Sequence, residues 1–225
     1  MLHPIYTCPP ISREIALSGK LDDPLWQRAE AVELTHPVNG ASYDQRATAR
    51  LLYSAEYLYI GFACADDYIV ASYTEHDASV WEEGCCEVFL CPSGRYRNYY
   101  ELNVSPRNTT FDTFILNGRS LDDDTWQHIT SFVDFTCASM ETRAFVDGEL
   151  GVLGGARGWS AEYAIPFAAL IGADHLTPVP GDEWKMNLCH IASAKSPAPA
   201  QFYSWATVGK IDFHCPWTFG TLRFS

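Results

Sequence analysis

Apolar and polar residues alternate in short runs along most of this chain, and clusters of Gly, Pro, Asn and Ser separate the runs. Alternation with a period of two is typical of β-strands, because successive side chains of a strand point to opposite faces of a sheet. Two pairs of runs predict hairpins: 47–53 with 57–65, and 85–91 with 99–105, the second with Gly94 in its turn. Further strands are predicted at 109–116, 131–137, 143–150, 159–166, 183–194, 202–205 and 217–224.

Helical periodicity is weak. Residues 22–31, with Pro24 one position after an Asp cap, and residues 166–173, which start with Pro, predict short helices or single turns. Many short strands with little helix indicate an all-β fold, a single-domain antiparallel β-sandwich over residues 1–225 with one or two short helices. A chain of 225 residues is an ordinary length for one such domain.

Composition narrows the class of partner. The chain is 47% hydrophobic, which excludes intrinsic disorder, and it carries a formal net charge of −13. This negative field repels phosphate, so nucleic acids and anionic membranes are not expected partners. No run reaches the roughly 18 apolar residues of a membrane span. The N-terminus lacks a basic segment followed by an apolar run, so a cytoplasmic protein is expected, or a secreted one if a leader was removed.

The eight cysteines also indicate the location of the protein, through the expected redox state of their thiols. Most of them stand inside apolar, strand-like runs, where a free cysteine behaves as a small buried hydrophobe. We therefore expect reduced thiols, which agrees with a cytoplasmic location. There is no C-x-x-C motif, and the adjacent Cys85 and Cys86 must point to opposite faces of a strand, so a zinc knuckle is not expected.

Six blocks of the sequence carry a resemblance to a known family. In chain order they are GKLDDPLWQRA (19–29), VWEEGCCEVFL (80–90), YYELNVSPRNTTFD (99–112), GWSAEYAIPFAAL (158–170), DEWKMNLCHI (182–191) and FHCPWTFGTLRF (213–224). Their order and spacing resemble carbohydrate-binding module family 9 and, more distantly, the DOMON-like sandwiches. The resemblance implies an immunoglobulin-like or DOMON-like antiparallel β-sandwich that binds sugars without catalysis. It also implies a pair of tryptophans clasping the terminal sugars of a glycan, with structural calcium nearby.

The resemblance assigns the first clasp position to Trp81 and a sugar-binding carboxylate to Glu87. A flat aromatic ring suits the apolar face of a sugar, and a carboxylate suits its hydroxyls. The second clasp position is taken as Trp205, with Trp126 as the alternative. If Glu87 has no binding role, it is expected on the solvent face or paired with a base such as Arg107.

Other polar residues complete the expected rim. Glu101 and Asn103 are two positions apart on the strand predicted to pair with 85–91, so they share one face. Asn187 and His190 are placed in the same rim. Asp112 is the candidate metal ligand, by resemblance, for structural calcium; no other cofactor is implied. Relatives often carry an acidic residue in place of Gly84 and an Arg in place of His190, and these departures bear on which sugar is bound.

Three other functions compete with sugar binding. Glu87 and Glu101 could lie close enough across a hairpin to act as the two carboxylates of a xylanase-like glycoside hydrolase, although an open sheet face lacks a deep cleft. Haem ligation by Met186 and His190 is disfavoured, because four residues of strand separate them too widely for one haem. A structural or protein-interaction sandwich would be favoured if Trp81 and Trp205 were buried. The other tryptophans considered, Trp26, Trp159, Trp184 and Trp217, are assigned to the core.

Overall fold

The computed structural model describes residues 3–120, 122, 125–192 and 199–225. In this part of the chain, thirteen strands form two sheets, and the remaining regular elements are five short 3₁₀ turns. None of these turns exceeds five residues, so the described residues contain no helix that could cross a membrane. The two sheets form a β-sandwich, as the alternation predicts.

The larger sheet has eight strands. They are β1 (Ile5–Cys8), β5 (Cys85–Cys91), β6 (Asn98–Val104), β7 (Thr110–Asn117), β8 (Ile129–Phe132), β11 (Glu183–Ala192), β12 (Gln201–Ser204) and β13 (Gly220–Phe224). The order is β1-β13-β11-β5-β6-β7-β8, and β12 pairs with the end of β11. All pairings are antiparallel except that of β1 with β13.

The smaller sheet has five antiparallel strands in the order β2-β3-β4-β10-β9. They are β2 (Val32–Leu34), β3 (Ala47–Tyr53), β4 (Tyr57–Cys64), β9 (Glu141–Gly148) and β10 (Ala156–Pro166). Its inner face packs against the larger sheet and closes the main core, which contains Leu51, Ile60 and Tyr163 from this side.

The larger sheet is covered on both faces at its centre. In β5, Cys86, Val88 and Leu90 point into the main core, whereas Cys85 and Phe89 belong to a second apolar cluster on the outward face. All seven residues of β5 are therefore buried, which explains why its sequence is almost uniformly apolar. Glu87 is the exception, and it lies on the outward face.

Both predicted hairpins are confirmed, and Gly94 adopts the positive φ of 63° that its turn requires. Four predicted strands have boundaries that are wrong by two residues or more. The strand predicted at 131–137 is already ending at Phe132, the one predicted at 143–150 runs from Glu141 to Gly148, the one predicted at 159–166 begins at Ala156, and the one predicted at 217–224 begins only at Gly220. The end of the strand predicted at 183–194 lies outside the described residues.

The two predicted helices are single 3₁₀ turns, Pro24–Arg28 and Phe167–Ala169. The short strands β1 and β2 were missed, because three or four residues hold too few alternations to be recognised. Trp26, Trp159 and Trp184 are buried as predicted. Trp217 is half-buried and stands in the 3₁₀ turn that precedes β13, so its assignment to the core was only partly correct.

Candidate functional site

A cavity of about 490 Å³ opens on the outward face of the eight-stranded sheet. Its floor includes Glu87 from β5 and Glu101 from β6, which alternation places on the same face. Six buried or half-buried apolar side chains line it further: Phe111, Ile115, Ile129, Ile191, Phe202 and Phe213. The lining is thus mainly apolar with a few convergent polar groups, the composition expected of a small-molecule site.

Two exposed tryptophans belong to the lining. Trp81 lies in the 3₁₀ turn Val80–Glu82, where the buried Val80 anchors the turn in the outward apolar cluster and leaves Trp81 38% exposed. Its ring meets Phe111 edge-on, with centroids 4.7 Å apart. Trp126 is 56% exposed and starts the 3₁₀ turn that leads into β8. Both rings therefore offer free surface at the cavity.

Trp126 is held by two neighbours. Its ring meets the His214 ring edge-on at 5.2 Å between centroids, and the guanidinium of Arg119 lies 5.0 Å from the ring centroid. A guanidinium over an indole ring is a favourable cation–π arrangement. Arg119 is itself buried and forms a 2.6 Å ion pair with Asp212, another residue of the cavity lining. These contacts fix the orientation of Trp126 before any ligand binds.

The carboxyl group of Glu87 is held neutral by its surroundings. Burial, reinforced by the charge of Glu101, raises the pKa of Glu87 from 4.5 to about 8. The thiol of Cys85 donates to Glu87 Oε1 at 3.2 Å. Arg107, the partner considered for Glu87, instead donates from Nε to the carbonyl of Ala71. At neutral pH, Glu87 can thus both donate and accept a hydrogen bond.

Glu101 has two polar neighbours. Its Oε1 accepts a 2.9 Å hydrogen bond from Asn103 Nδ2, and its Oε2 lies 3.7 Å from Nε2 of His214. Asn103 is fully buried and does not line the cavity, so it orients Glu101 rather than facing a ligand. Asp212 adds a second acceptor: burial by itself raises its pKa, but the ion pair with Arg119 lowers it overall and keeps the carboxylate ionised.

Trp205 does not line this cavity, which corrects its assignment to the clasp. It is 9% exposed and belongs to the main core between the sheets. Its ring lies against Gly220, where an added Cβ would stand 2.4 Å from ring atom Cζ3. Trp126, the alternative considered for the clasp, lines the cavity instead.

Asn187 and His190 are also absent from the lining, and, being three residues apart, they point to opposite faces of β11. Asn187 is fully buried; its amide donates to Ser204 Oγ and accepts from the backbone N–H of Ala206, both at 2.9 Å. It therefore ties β11 to the end of β12. His190 lies between the sheets, with its ring against Trp159 and Tyr203.

Asp112 lies apart from this cavity, near the exposed His76 and Asp77. One ligand atom from each of the three lies within 4.8 Å of the other two. Asp112 Oδ2 already accepts from the backbone N–H of Cys137 at 2.5 Å, so Oδ1 is the oxygen left for a cation. Asn108, whose buried Oδ1 has no hydrogen-bond partner, lines the same pocket. Carboxylate and amide oxygens are ligand types that calcium prefers. Asp77, Asp112 and Asn108 are the side chains that would bind it.

Sequence reasoning missed several lining residues, among them Phe111, Asp212 and His214. His214 and its neighbours lie within or next to the block 213–224 that resembles family 9, so that block was the signal available. Nothing in the local pattern indicates that Arg119, nearly a hundred positions earlier than Asp212, would pair with it.

Comparisons with known proteins agree with this fold. The family model described as carbohydrate-binding family 9 matches residues 26–224. A candidate carbohydrate-binding protein from Bacteroides uniformis has a similar structure, with a TM-score of 0.78, 18% identity and full coverage of both chains. A family 9 carbohydrate-binding module from Caldicellulosiruptor kristjanssonii, solved with cellotriose, has a TM-score of 0.67 at 13% identity, covering 99% of this chain and 94% of that one.

A curated relative, named an extracellular protein, comes from Arthroderma benhamiae. It is 26% identical over 178 residues, which cover 75% of this chain and 74% of the relative. The match to the family model spans most of the sequence and contains both sheets almost entirely. This chain belongs to carbohydrate-binding family 9.

Proposed function

We propose that this protein binds a neutral oligosaccharide or glycan chain end, without cleaving it, in the cavity lined by Trp81 and Trp126. The observation that carries the proposal is the pairing of two exposed indole rings with a polar floor of Glu87 and Glu101. Pyranose rings present an apolar C–H face to an aromatic ring and hydroxyls at their edges, so they need both kinds of surface at once.

The polar groups suit hydroxyls rather than charged ligands. Glu87 is mostly protonated at neutral pH, so it can donate to one hydroxyl and accept from another. The ionised Asp212 is an acceptor only. With a net charge of −13, the protein repels anionic sugars at long range. The cavity volume also falls within the range of about 300–1,000 Å³ that is usual for small-molecule sites.

The family supports the choice of test ligand. Modules from Caldicellulosiruptor kristjanssonii have been solved in complex with cellotriose and with glucose, so gluco-oligosaccharides are the first probes to use here. Xylo-, manno- and galacto-oligosaccharides complete the panel. Calcium held by Asp77 and Asp112 would reinforce the fold rather than contact the sugar, because that pocket is lined by different residues.

Isothermal titration of the wild type and of Trp81→Ala and Trp126→Ala tests the proposal. Each substitution should weaken binding at least tenfold, about 1.4 kcal/mol. Phe145→Ala is the matched control, because Phe145 is also an exposed aromatic (37%) but lies on β9 of the other sheet. Binding lost equally in the control, or no heat with any sugar of the panel, would contradict the proposal.

Hydrolysis is the second candidate, and the raised pKa of Glu87 beside Glu101 is the observation that favours it. Mass spectra of each sugar recovered after titration separate the two functions. Intact sugars support binding alone. Cleaved sugars, with cleavage abolished in Glu87→Gln and Glu101→Gln, would make the protein a glycoside hydrolase. The exposure of Trp81 weighs against a purely structural sandwich.

A further inference from the structure

Three side chains of metal-ligand type meet between the two sheets, away from the sugar cavity. They are Cys64 at the end of β4, Cys86 in β5 and His190 in β11, and one ligand atom from each lies within 4.8 Å of the other two. All three residues are buried. Cys86 and His190 are register partners in the eight-stranded sheet, whereas Cys64 belongs to the five-stranded sheet. The group therefore bridges the sandwich.

The spacing of the two sulfurs suits a shared metal ion. Cys64 Sγ and Cys86 Sγ are 3.7 Å apart. Two thiolates bound to one tetrahedral zinc at about 2.3 Å lie about 3.8 Å apart. A disulfide would need about 2.05 Å. Cys86 Sγ also lies 3.9 Å from Nδ1 of His190, so the imidazole is a direct neighbour of the sulfurs.

The hydrogen bonding of His190 leaves one of its two ring nitrogens without a hydrogen-bond partner. Nδ1 lies 2.9 Å from the carbonyl oxygen of Cys85, to which it donates when it carries the proton. Nε2 then holds the lone pair, and it is buried with no hydrogen-bond partner. An unsatisfied buried nitrogen is costly. A histidine that donates from one nitrogen to a backbone carbonyl and ligates a metal through the other is the usual arrangement around protein-bound zinc.

We propose that Cys64, Cys86 and His190 bind one thiophilic metal ion, Zn²⁺ or Cu⁺, which links the two sheets. Two thiolates and one neutral imidazole are donors that both ions accept. Zn²⁺ is favoured between them, because its charge cancels the two thiolates in a site buried from water, whereas Cu⁺ leaves one negative charge uncompensated. Binding replaces thiol protons with the ion and involves no oxidation.

The other cysteines are also free and buried, yet among the described residues no second pair of thiols joins a histidine in this way.

Metal analysis of the purified protein tests the proposal. The full chain is prepared under reducing conditions, stripped with a chelator, and titrated separately with Zn²⁺ and with Cu⁺, with Co²⁺ as an optical probe. We expect one ion per chain, thiolate-to-cobalt charge-transfer absorption in the near ultraviolet, and a higher melting temperature for the metal-loaded protein than for the stripped one.

Substitutions of single residues show which side chains bind the metal ion. Cys64→Ala, Cys86→Ala and His190→Gln should each abolish stoichiometric binding, whereas Cys189→Ala, an equally buried cysteine on the outward face of β11, should retain it. If a ligand variant fails to fold, the metal content, the cobalt absorption and the melting temperatures of the stripped and metal-loaded wild type still test whether the protein binds the ion. Absence of the cobalt band and of any stabilisation, loss of metal in Cys189→Ala as well, or a Cys64–Cys86 disulfide found by mass spectrometry in protein kept reduced would overturn the proposal.

Discussion

Replacing Trp205 with alanine should destabilise the fold and leave sugar affinity unchanged. Trp205 is 9% exposed, its ring packs on Gly220, and its neighbours belong to the core between the sheets. Truncation leaves a cavity that the surrounding strands cannot fill, because both sheets are held by their own backbone hydrogen bonds. The same substitution at Trp126, which is 56% exposed, removes a ring with a large free surface.

The expected losses of stability differ enough to distinguish the buried Trp205 from the exposed Trp126. A buried tryptophan cut to alanine costs about 3–5 kcal/mol, and in a domain of this size 1 kcal/mol moves the melting temperature by about 2–4 °C. Trp205→Ala should therefore melt about 6–20 °C below the wild type. Trp126→Ala should stay within about 1 kcal/mol of the wild type, since surface substitutions rarely cost more.

Thermal and urea denaturation give the stability of each variant, and titration with the best-binding sugar of the panel gives its affinity at a temperature where both remain folded. We expect Trp205→Ala to lose stability alone and Trp126→Ala to lose affinity alone. The reverse result, with affinity lost in a fully stable Trp205→Ala, would show that the cavity beside Trp81 is not the sugar site.

Three further outcomes follow from buried carboxylates. Glu162→Gln should cost about 1.5–3 kcal/mol by urea denaturation, because Glu162 is fully buried and its Oε2 accepts from the backbone N–H groups of Ser18 and Gly19, which the NH₂ group of glutamine cannot do while its oxygen keeps the bond from Trp26 Nε1; unchanged stability would refute this. Asp212→Asn should destabilise the protein at pH 7, since Arg119 lowers the pKa of Asp212 in the folded state. That difference should shrink as the pH falls through the acid range, where wild-type Asp212 is protonated too; a gap that is constant between pH 7 and pH 3 would argue against it. Calcium should raise the melting temperature of the wild type but not of Asp112→Asn, and an equal rise in both would remove Asp112 from the metal site.

The local pattern was sufficient to predict the hairpins and to predict which side chains share a face of the sheet. Alternation correctly paired 47–53 with 57–65, and it placed Glu101 and Asn103 together on the strand beside Glu87. Where that rule was not applied, the prediction failed. Asn187 and His190, three residues apart, were assigned to one rim although a period of two puts them on opposite faces.

The choice between tryptophans needed information that no local pattern holds. Trp126 stands in the polar stretch DTWQH and Trp205 in the less polar stretch YSWAT, and both adjoin strands, so proximity to a strand does not distinguish them. Trp205 is buried because it docks on Gly220, and Trp126 is exposed because Arg119 and His214 hold its ring at the cavity. The contact of Trp126 with His214 joins segments far apart in the chain.

The sequence by itself determined the strand periodicity, the all-β class and the family, because those depend on neighbouring residues and on the order of the blocks along the chain. Only the tertiary structure decided which residues meet. The ion pair of Arg119 with Asp212 brings together two distant connecting segments, and the group of Cys64, Cys86 and His190 brings together three strands from both sheets. The physical reason is that strand order and sheet packing arise from long-range burial of apolar faces, which short-range alternation permits but does not specify.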